Sequence, residues 1–264
     1  ARRFGMPPTL AVPYQEAWRW RRDGVNALKV KVRAIHRDAR SQNVIAELPG
    51  LEPAQPALML TAHHDTQRGN PGADDNASGV ACLLALAERL PAHRHRRTIR
   101  FISFGAEEQL SVGAAAHVRR HRPAPRTTGL VLNFDSVASP LGHFQMSAAG
   151  FPALARHAAA ALARAGLDVV PVPEITPFGD QFPFNRAGIP SLWFMRANFS
   201  GGRWQHHSAH DTLHNVSRRE IQRLVDAVGP LIGQLADAVR WPFPPGLPAA
   251  QRRRAARLGA ELFG

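Results

Sequence analysis

Between residues 43 and 240 the chain repeats one pattern: a short apolar run, a polar break, then a longer segment with apolar positions at helical spacing. Asn43–Leu48 and Leu58–Ala62 read as strands separated by the turn-rich stretch Pro49–Pro56. Ala77–Leu90 is apolar on most sides, which predicts a buried helix with Asn76 or Ser78 to cap its start. Thr98–Phe104 is β-branched and aromatic and predicts a strand, followed by a helix over Ser111–Arg120. Leu130–Phe134 and His143–Ser147 predict two further strands, and Phe151–Ala165 a helix stopped by Gly166. Ser191–Phe194 reads as a strand after the turn Gly188-Ile189-Pro190. A long helix over Ser217–Val239 closes the series, with Ser217 and Glu220 spaced as a capping box. Strands alternating with helices predict an α/β fold, a sheet with helices on both faces.

The ends depart from this rhythm. Residues 1–42 form a separate N-terminal segment, with Pro7, Pro8 and Pro13, a short helix over Tyr14–Arg22, and an alternating stretch Leu28–Ala34 that predicts a half-exposed strand. Residues 241–264 form a tail rich in Pro, Arg and Ala, expected to be loosely held.

Composition narrows the possibilities modestly. The 264 residues are enough for one substantial core, and 44% hydrophobic with 20% charged residues is ordinary for a globular protein. No apolar run approaches the ~20 residues that span a bilayer. The start Ala1-Arg2-Arg3-Phe4 has neither an initiator Met nor the apolar core of a secretion signal, which suits a processed or truncated N-terminus. The one cysteine, Cys82, lies in an apolar run and reads as a buried structural thiol. Any metal site must therefore use His and carboxylates. The net charge of +13 raises nucleic-acid binding, but the Arg clusters 94–97, 119–126 and 252–257 are not interleaved with aromatics. They read as a solvated basic surface, with no specific nucleic-acid partner. His93, His95, His117 and His121 sit among those Arg residues and read as surface groups.

The polar clusters fall where the strands end, the edge at which open α/β sheets bind ligands. His63-His64-Asp65 follows one strand, with Asp74-Asp75-Asn76 a little further on. Glu107-Glu108 follows the next strand, Asp135 the one after, and His206-His207 with His210-Asp211 precedes the last helix. A hydrolytic zinc centre needs imidazole and carboxylate ligands, an open position for water and a nearby base, and a two-metal centre also needs a bridging carboxylate. Paired glutamates can divide that labour, one on metal and one taking a proton.

Six segments then carry a family resemblance. They are Thr61-Ala62-His63-His64-Asp65-Thr66, Pro71 to Gly79, Phe104-Gly105-Ala106-Glu107-Glu108, Asn133-Phe134-Asp135, Ala187-Gly188-Ile189-Pro190 and His207-Ser208-Ala209-His210-Asp211-Thr212. In this order they resemble the di-zinc aminopeptidases, a family with secreted bacterial leucine aminopeptidases and, as relatives, glutamate carboxypeptidases and glutaminyl cyclases. The resemblance covers roughly Asn43 to Val239. It implies the zinc exopeptidase fold, a three-layer sandwich around a mixed, mostly parallel sheet, in a catalytic domain of residues 43–240. It implies two zinc ions, with Asp75 bridging, His63 and Asp135 on one ion, and Glu108 and His207 on the other. Glu107 would be the general base and Asp65 would orient His63. Peptides would be the substrates, cut at the N-terminal bond; the sequence itself leaves the compartment open, and the resemblance leans to a secreted or periplasmic one. By the same likeness, residues 1–42 read as the remnant of an inserted protease-associated domain.

Two departures are evident. Where many of these aminopeptidases carry Tyr before the last ligand, this chain has His206, which could hydrogen-bond the oxyanion in its stead. The family's Ser-Asp-x-x-Pro-Phe appears as Gly179 to Phe184, with Asp180 and Phe182 as candidate borders of the substrate pocket, though a helix-start Asp and a core Phe fit equally. Asp74 reads as a turn carboxylate, and His64 and His210 as solvated or supporting groups. Arg186, Arg196 and Arg203 keep open a carboxypeptidase or related amide hydrolase, which needs a cation for the substrate carboxylate. A noncatalytic binding module on the same scaffold is the contrasting class.

Overall fold

The computed structural model describes residues 10, 12–31, 33, 35, 37–90, 95–198 and 205–263. Seven strands form one sheet in the order β1-β3-β2-β4-β7-β5-β6. They are β1 (Val44–Leu48), β2 (Ala57–His63), β3 (Ile99–Phe104), β4 (Thr128–Phe134), β5 (His143–Ala149), β6 (Val169–Val172) and β7 (Ser191–Ala197). The centre β3-β2-β4-β7 is parallel, while β1 runs antiparallel to β3 and β5 antiparallel to β7. The sheet is thus mixed and mostly parallel.

Strand β2 is buried along its whole length, as a strand covered on both faces must be. Its alternate residues serve two cores. Leu58, Leu60 and Ala62 join the large cluster beneath α2 (Gly79–Arg89), α4 (Pro152–Arg164) and α6 (Arg218–Asp237), whereas Met59 joins Ile102, Phe104, Ala114, Val131 and Phe184 beneath α3 (Val112–His121) and α5 (Gln181–Arg186). This is the three-layer sandwich. Its main consequence is that the parallel strands β2, β3 and β4 deliver their C-terminal residues to one edge. Among the described residues no helix is long and apolar enough to cross a membrane.

Several expectations change. The alternating stretch beginning at Leu28 forms no strand over Leu28–Lys31, whose residues are exposed and bury no apolar face. Helix α1 (Tyr14–Arg22) is present, with no buried residue. The tail is not loose: α7 (Ala249–Phe263) seats Ala255 in a small core with Ala149, Ile175, Phe182 and Leu247. The capping box at Ser217 does not form, because the Glu220 carboxylate is taken by Arg196 and Arg223, each at under 3 Å (2.7 and 2.9 Å). Capping of α2 falls to Asn76, whose Oδ1 accepts the Gly79 N–H at 2.9 Å. Both β6 and α5 arise where the chain suggested no element.

Candidate metal centre

His63 ends β2, Glu107 and Glu108 follow β3, and Asp135 follows β4, where its N–H bonds the Phe194 carbonyl at 3.1 Å. Asp75 lies in an irregular turn, Ala73–Ser78, that leads into α2. Its tight path explains two glycines. A Cβ on Gly72, at φ +69°, would sit 2.6 Å from Thr66 Oγ1, and one on Gly79 would collide with the Phe134 carbonyl. His206 and His207 lie beyond β7, in the segment before α6.

These side chains meet. Asp75 Oδ1 is 3.2 Å from His63 Nε2, and Asp135 Oδ1 is 3.7 Å from the same nitrogen. The other oxygen, Asp75 Oδ2, lies 3.1 Å from His207 Nε2 and 2.9 Å from His206 Nδ1. Glu108 Oε2 is 3.1 Å from His207 Nε2. One carboxylate therefore turns its two oxygens toward two donor sets, His63–Asp75–Asp135 and Asp75–His206–His207. Donors about 2.0–2.1 Å from a tetrahedral zinc ion stand roughly 3.3 Å apart, and these nitrogen–oxygen distances run from 2.9 to 3.7 Å. His63 Nε2 and Glu108 Oε1 are buried without a hydrogen bond, as ligand atoms would be without their ion. The donor set fits two zinc ions.

The electrostatics agree. Burial disfavours charge on His63, but the carboxylates of Asp135, Asp65 and Asp75 outweigh it and hold the imidazole well above its usual range. Burial, together with Asp135 and Glu108, pushes the Glu107 carboxyl up to about 7. Burial and the charge on Asp75 also raise Glu108. So many carboxylates in a desolvated space call for cations.

Supporting contacts add to one expected role. His63 Nδ1 meets the backbone carbonyl of Asp65 at 3.0 Å, with the Asp65 carboxylate 3.6 Å away. That carboxylate also accepts the N–H groups of Glu107 and Glu108, at 2.9 and 3.2 Å. Asp211, buried, does the same for Asp74 and Asp75, at 2.6 and 3.0 Å. Two carboxylates thus fix the two acidic pairs by their backbones. Ser111 Oγ donates to Glu107 Oε1 at 3.1 Å and Gln67 Nε2 to Glu108 Oε2 at 2.8 Å. Sequence reasoning missed Asp211, Ser111 and Gln67; only the position of Asp211 inside the His207–Thr212 segment hinted at a role. Asp74 is a structural carboxylate, as read, accepting the Ala138 N–H at 2.7 Å.

A cavity of about 430 Å³ opens beside the donors, lined by Asp75, Glu107, Glu108 and Asp135 and by the apolar Leu110, Phe178, Trp193 and Met195. Phe182 does not border it. That ring is 1% exposed in the core beneath α7, and Phe178 takes the place expected for it. Asp180 is fully buried and does not line the cavity either; burial and the nearby Glu107 charge hold its carboxyl well above the usual range. Neither described Arg candidate faces the cavity: Arg196 is buried on the carbonyls of Ser139 and Gly142 and on Glu220, and Arg186 lies against Gly259 of α7. Arg203 and His93 lie outside the described residues. His64 and His210 are exposed, His64 Nδ1 meeting Ser103 Oγ at 2.9 Å. His95 and His117, expected on the surface, are buried, the first on Asp237 and the second against Phe104 and Phe184. Cys82 is buried as expected, its thiol pushed up to about 12 by desolvation.

Non-glycine residues with left-handed backbone gather here. Ala106, Leu110, Ser111, Ser136, Gln205 and His207 all have φ between 53° and 65° and flank the donors in sequence. Such strain collects where surrounding structure fixes a functional site.

A profile of Peptidase family M28 matches residues 43–232. The chain is 30% identical over 229 residues to leupeptin-inactivating enzyme 1 of Streptomyces exfoliatus, spanning 79% of this chain and 51% of that protein. It is 28% identical over 201 residues to the aminopeptidase YwaD of Bacillus subtilis, spanning 71% and 43%. Among solved structures, an aminopeptidase from Aneurinibacillus sp. strain AM-1 superposes with a TM-score of 0.63 at 26% identity, covering 78% of this chain and 49% of that one. A zinc aminopeptidase from Bacillus subtilis shares the fold, with a TM-score of 0.67 at 24% identity over 76% and 51%. The chain spans about half the length, or less, of these relatives.

Proposed function

The chain belongs to peptidase family M28, and from that membership we propose that it is a zinc-dependent aminopeptidase that releases N-terminal residues from peptides. The observation that carries the reading is Asp75, whose two oxygens face separate His-containing donor sets with Glu107 beside them. His63, Asp75 and Asp135 would hold one zinc ion, and Asp75, Glu108 and His207 the other. Zinc bound there supplies a Lewis acid for the scissile carbonyl and for the acidity of water.

The remaining work belongs to the protein. Glu107, a carboxylate buried beside the metal donors, takes a proton from the attacking water and returns it to the departing amine. Ser111 and the Asp65 clamp hold that carboxylate toward the cavity. Among the described lining residues the cavity carries carboxylates and no Arg or Lys. With no Arg or Lys among those residues to pair with a C-terminal carboxylate, an aminopeptidase is favoured over a carboxypeptidase. The wall of Leu110, Phe178, Trp193 and Met195 accommodates an apolar terminal side chain.

The test is zinc content together with hydrolysis of free and N-acetylated aminoacyl amides. Two zinc ions per chain and cleavage of free substrates alone are expected; cleavage of N-acetylated substrates at similar rates would overturn the aminopeptidase reading. Glu107→Gln should retain both ions while kcat falls by about 10²–10⁴-fold. Turnover like that of the wild type would remove Glu107 as the base.

A further inference from the structure

One residue in the wall of the cavity is not held by its own burial. Phe178 lines the cavity yet is 61% exposed, so its position depends on the backbone that carries it. That backbone runs between β6 and α5, and it is anchored on either side of Phe178. Ile175 and Phe182 are each 1% exposed. Both belong to the small core completed by Leu247 and by Ala255 of α7, with Leu258 packed against it. Between the anchors the path is tight. Gly179 has φ +132°, a Cβ on it would stand 2.5 Å from Gln181 Oε1, and its carbonyl accepts the Phe182 N–H at 3.1 Å.

Helix α7 is itself firmly seated. Gln251 Oε1 accepts the N–H of Gly150, just past β5, at 2.8 Å. Gly259 leaves room for the Arg186 guanidinium at the end of α5, which a Cβ there would strike. Arg254 pairs with Glu174 at 3.0 Å, an exposed contact of small energetic weight. The helix thus rests on β5, on α5 and on the stretch that carries Phe178. It lies beyond residues 43–232, so the profile of the shared domain does not account for it.

We propose that α7 tunes substrate selection: Ala255 and Leu258 are positioning residues that act through Ile175 and Phe182 to hold Phe178 against the side chain of the substrate's N-terminal residue. This rests on the aminopeptidase reading above. A close-packed core transmits strain rather than absorbing it, so a larger side chain at Ala255 displaces both anchors. A wall that shifts loses contact with a long apolar side chain and hardly affects a short one. The donors at the ends of β2, β3 and β4 keep their own supports. The effect therefore falls on discrimination between substrates and not on the chemical step.

The experiment measures kcat and KM of the zinc-loaded protein on leucine amide and alanine amide, and compares the ratio of the two kcat/KM values. Phe178→Ala, which removes the wall directly, is expected to lower the leucine-to-alanine ratio about tenfold. Ala255→Leu should lower it at least about threefold, through KM for leucine amide, with alanine amide turnover and zinc content unchanged. Ala255→Ser, which adds one atom, should stay near wild type. Leu258→Ala, at a half-buried position, loosens the same core by removing packing and should act in the same direction, whether or not Ala255→Leu folds. With Phe178→Ala and Ala255→Leu combined, the ratio should match that of Phe178→Ala alone, because no ring remains to be displaced. Equal losses on both amides, an unchanged ratio in Leu258→Ala, or effects that multiply in the double variant would each overturn the proposal. Wild type that binds zinc yet hydrolyses neither amide would defeat the aminopeptidase reading instead, and this proposal with it.

Discussion

The two halves of the centre share Asp75 and otherwise differ in how the chain presents them. His63 and Asp135 leave the ends of adjacent parallel strands, and both are buried, at 1% and 4% exposure. Their positions follow from the sheet: register fixes where β2 and β4 stop, and two cores press on either face. His206 and His207 sit on a loop, with side chains 27% and 39% exposed, and are oriented by left-handed backbone rather than by a strand. A sheet-built half is preorganised and desolvated, so electrostatic attraction to a cation is strong there. A loop-built half is open to water and exchange. The sheet half is thus suited to holding its ion firmly, and the loop half to exchange with solvent.

The severest test of that division is Asp75→Ala, which removes the one group both halves use. Loss of both ions and of measurable turnover is expected, with zinc content as the readout. Retention of one ion at wild-type affinity would show that a half can stand without the bridge, and the comparison would have to be redrawn around two independent sites.

The two backbone clamps sharpen the contrast at lower cost to the protein. Asp211 is buried, and Asp211→Asn would set an amide N–H₂ against one of two buried N–H donors, destabilising by roughly 2–4 kcal/mol. Asp65 has a side chain 25% exposed, so water can replace part of what Asp65→Asn loses, and about 1 kcal/mol is expected. Urea unfolding of the metal-free proteins separates the two. Equal losses would contradict the burial argument. In zinc titrations each variant should lose about 10–100-fold in affinity, as second-layer partners of a metal site do.

Which parts were legible in the sequence follows from the same contrast. Ligands of the sheet half stand where an apolar run stops, and both the run and the stop are local features, so His63 and Asp135 could be found directly. His206-His207 stood out in the same way ahead of the last helix, while the assignment of ligands in both halves came from resemblance; the orientation of His206 was not legible, since its left-handed neighbours are Gln and His rather than Gly. Asp211 was invisible as a clamp because its partners lie 136 and 137 residues away. Helix α7 was hidden because its Arg-rich sequence shows no strong apolar stripe, and its buried Ala255 has meaning only against Phe182 and Leu247. The capping box failed for a similar reason: Glu220 had a better partner in Arg196, on a strand elsewhere in the chain.

Acid separates the site from the scaffold, because acid should empty the metal centre and also weaken the fold far from it. The fold's own acid sensitivity has an identifiable source in His117 on α3, 4% exposed beneath Phe104 and Phe184. Burial, with help from His121 and Arg100, lowers its pKa to about 4. The unfolded chain, with an ordinary value near 6.5, binds the proton that the folded chain refuses. Stability is therefore unaffected above about pH 6.5, falls as the pH drops below it, and stops falling from this source near pH 4. At pH 5 the penalty is about 2 kcal/mol. His117→Leu removes the titrating group and keeps an apolar side chain in place. Compared by urea unfolding of metal-free protein at pH 7 and pH 5, the wild type should lose about 2 kcal/mol more than the variant. Parallel losses would place the fold's acid sensitivity elsewhere, and acid release of metal could then no longer be separated from loosening of the sheet that holds His63 and Asp135.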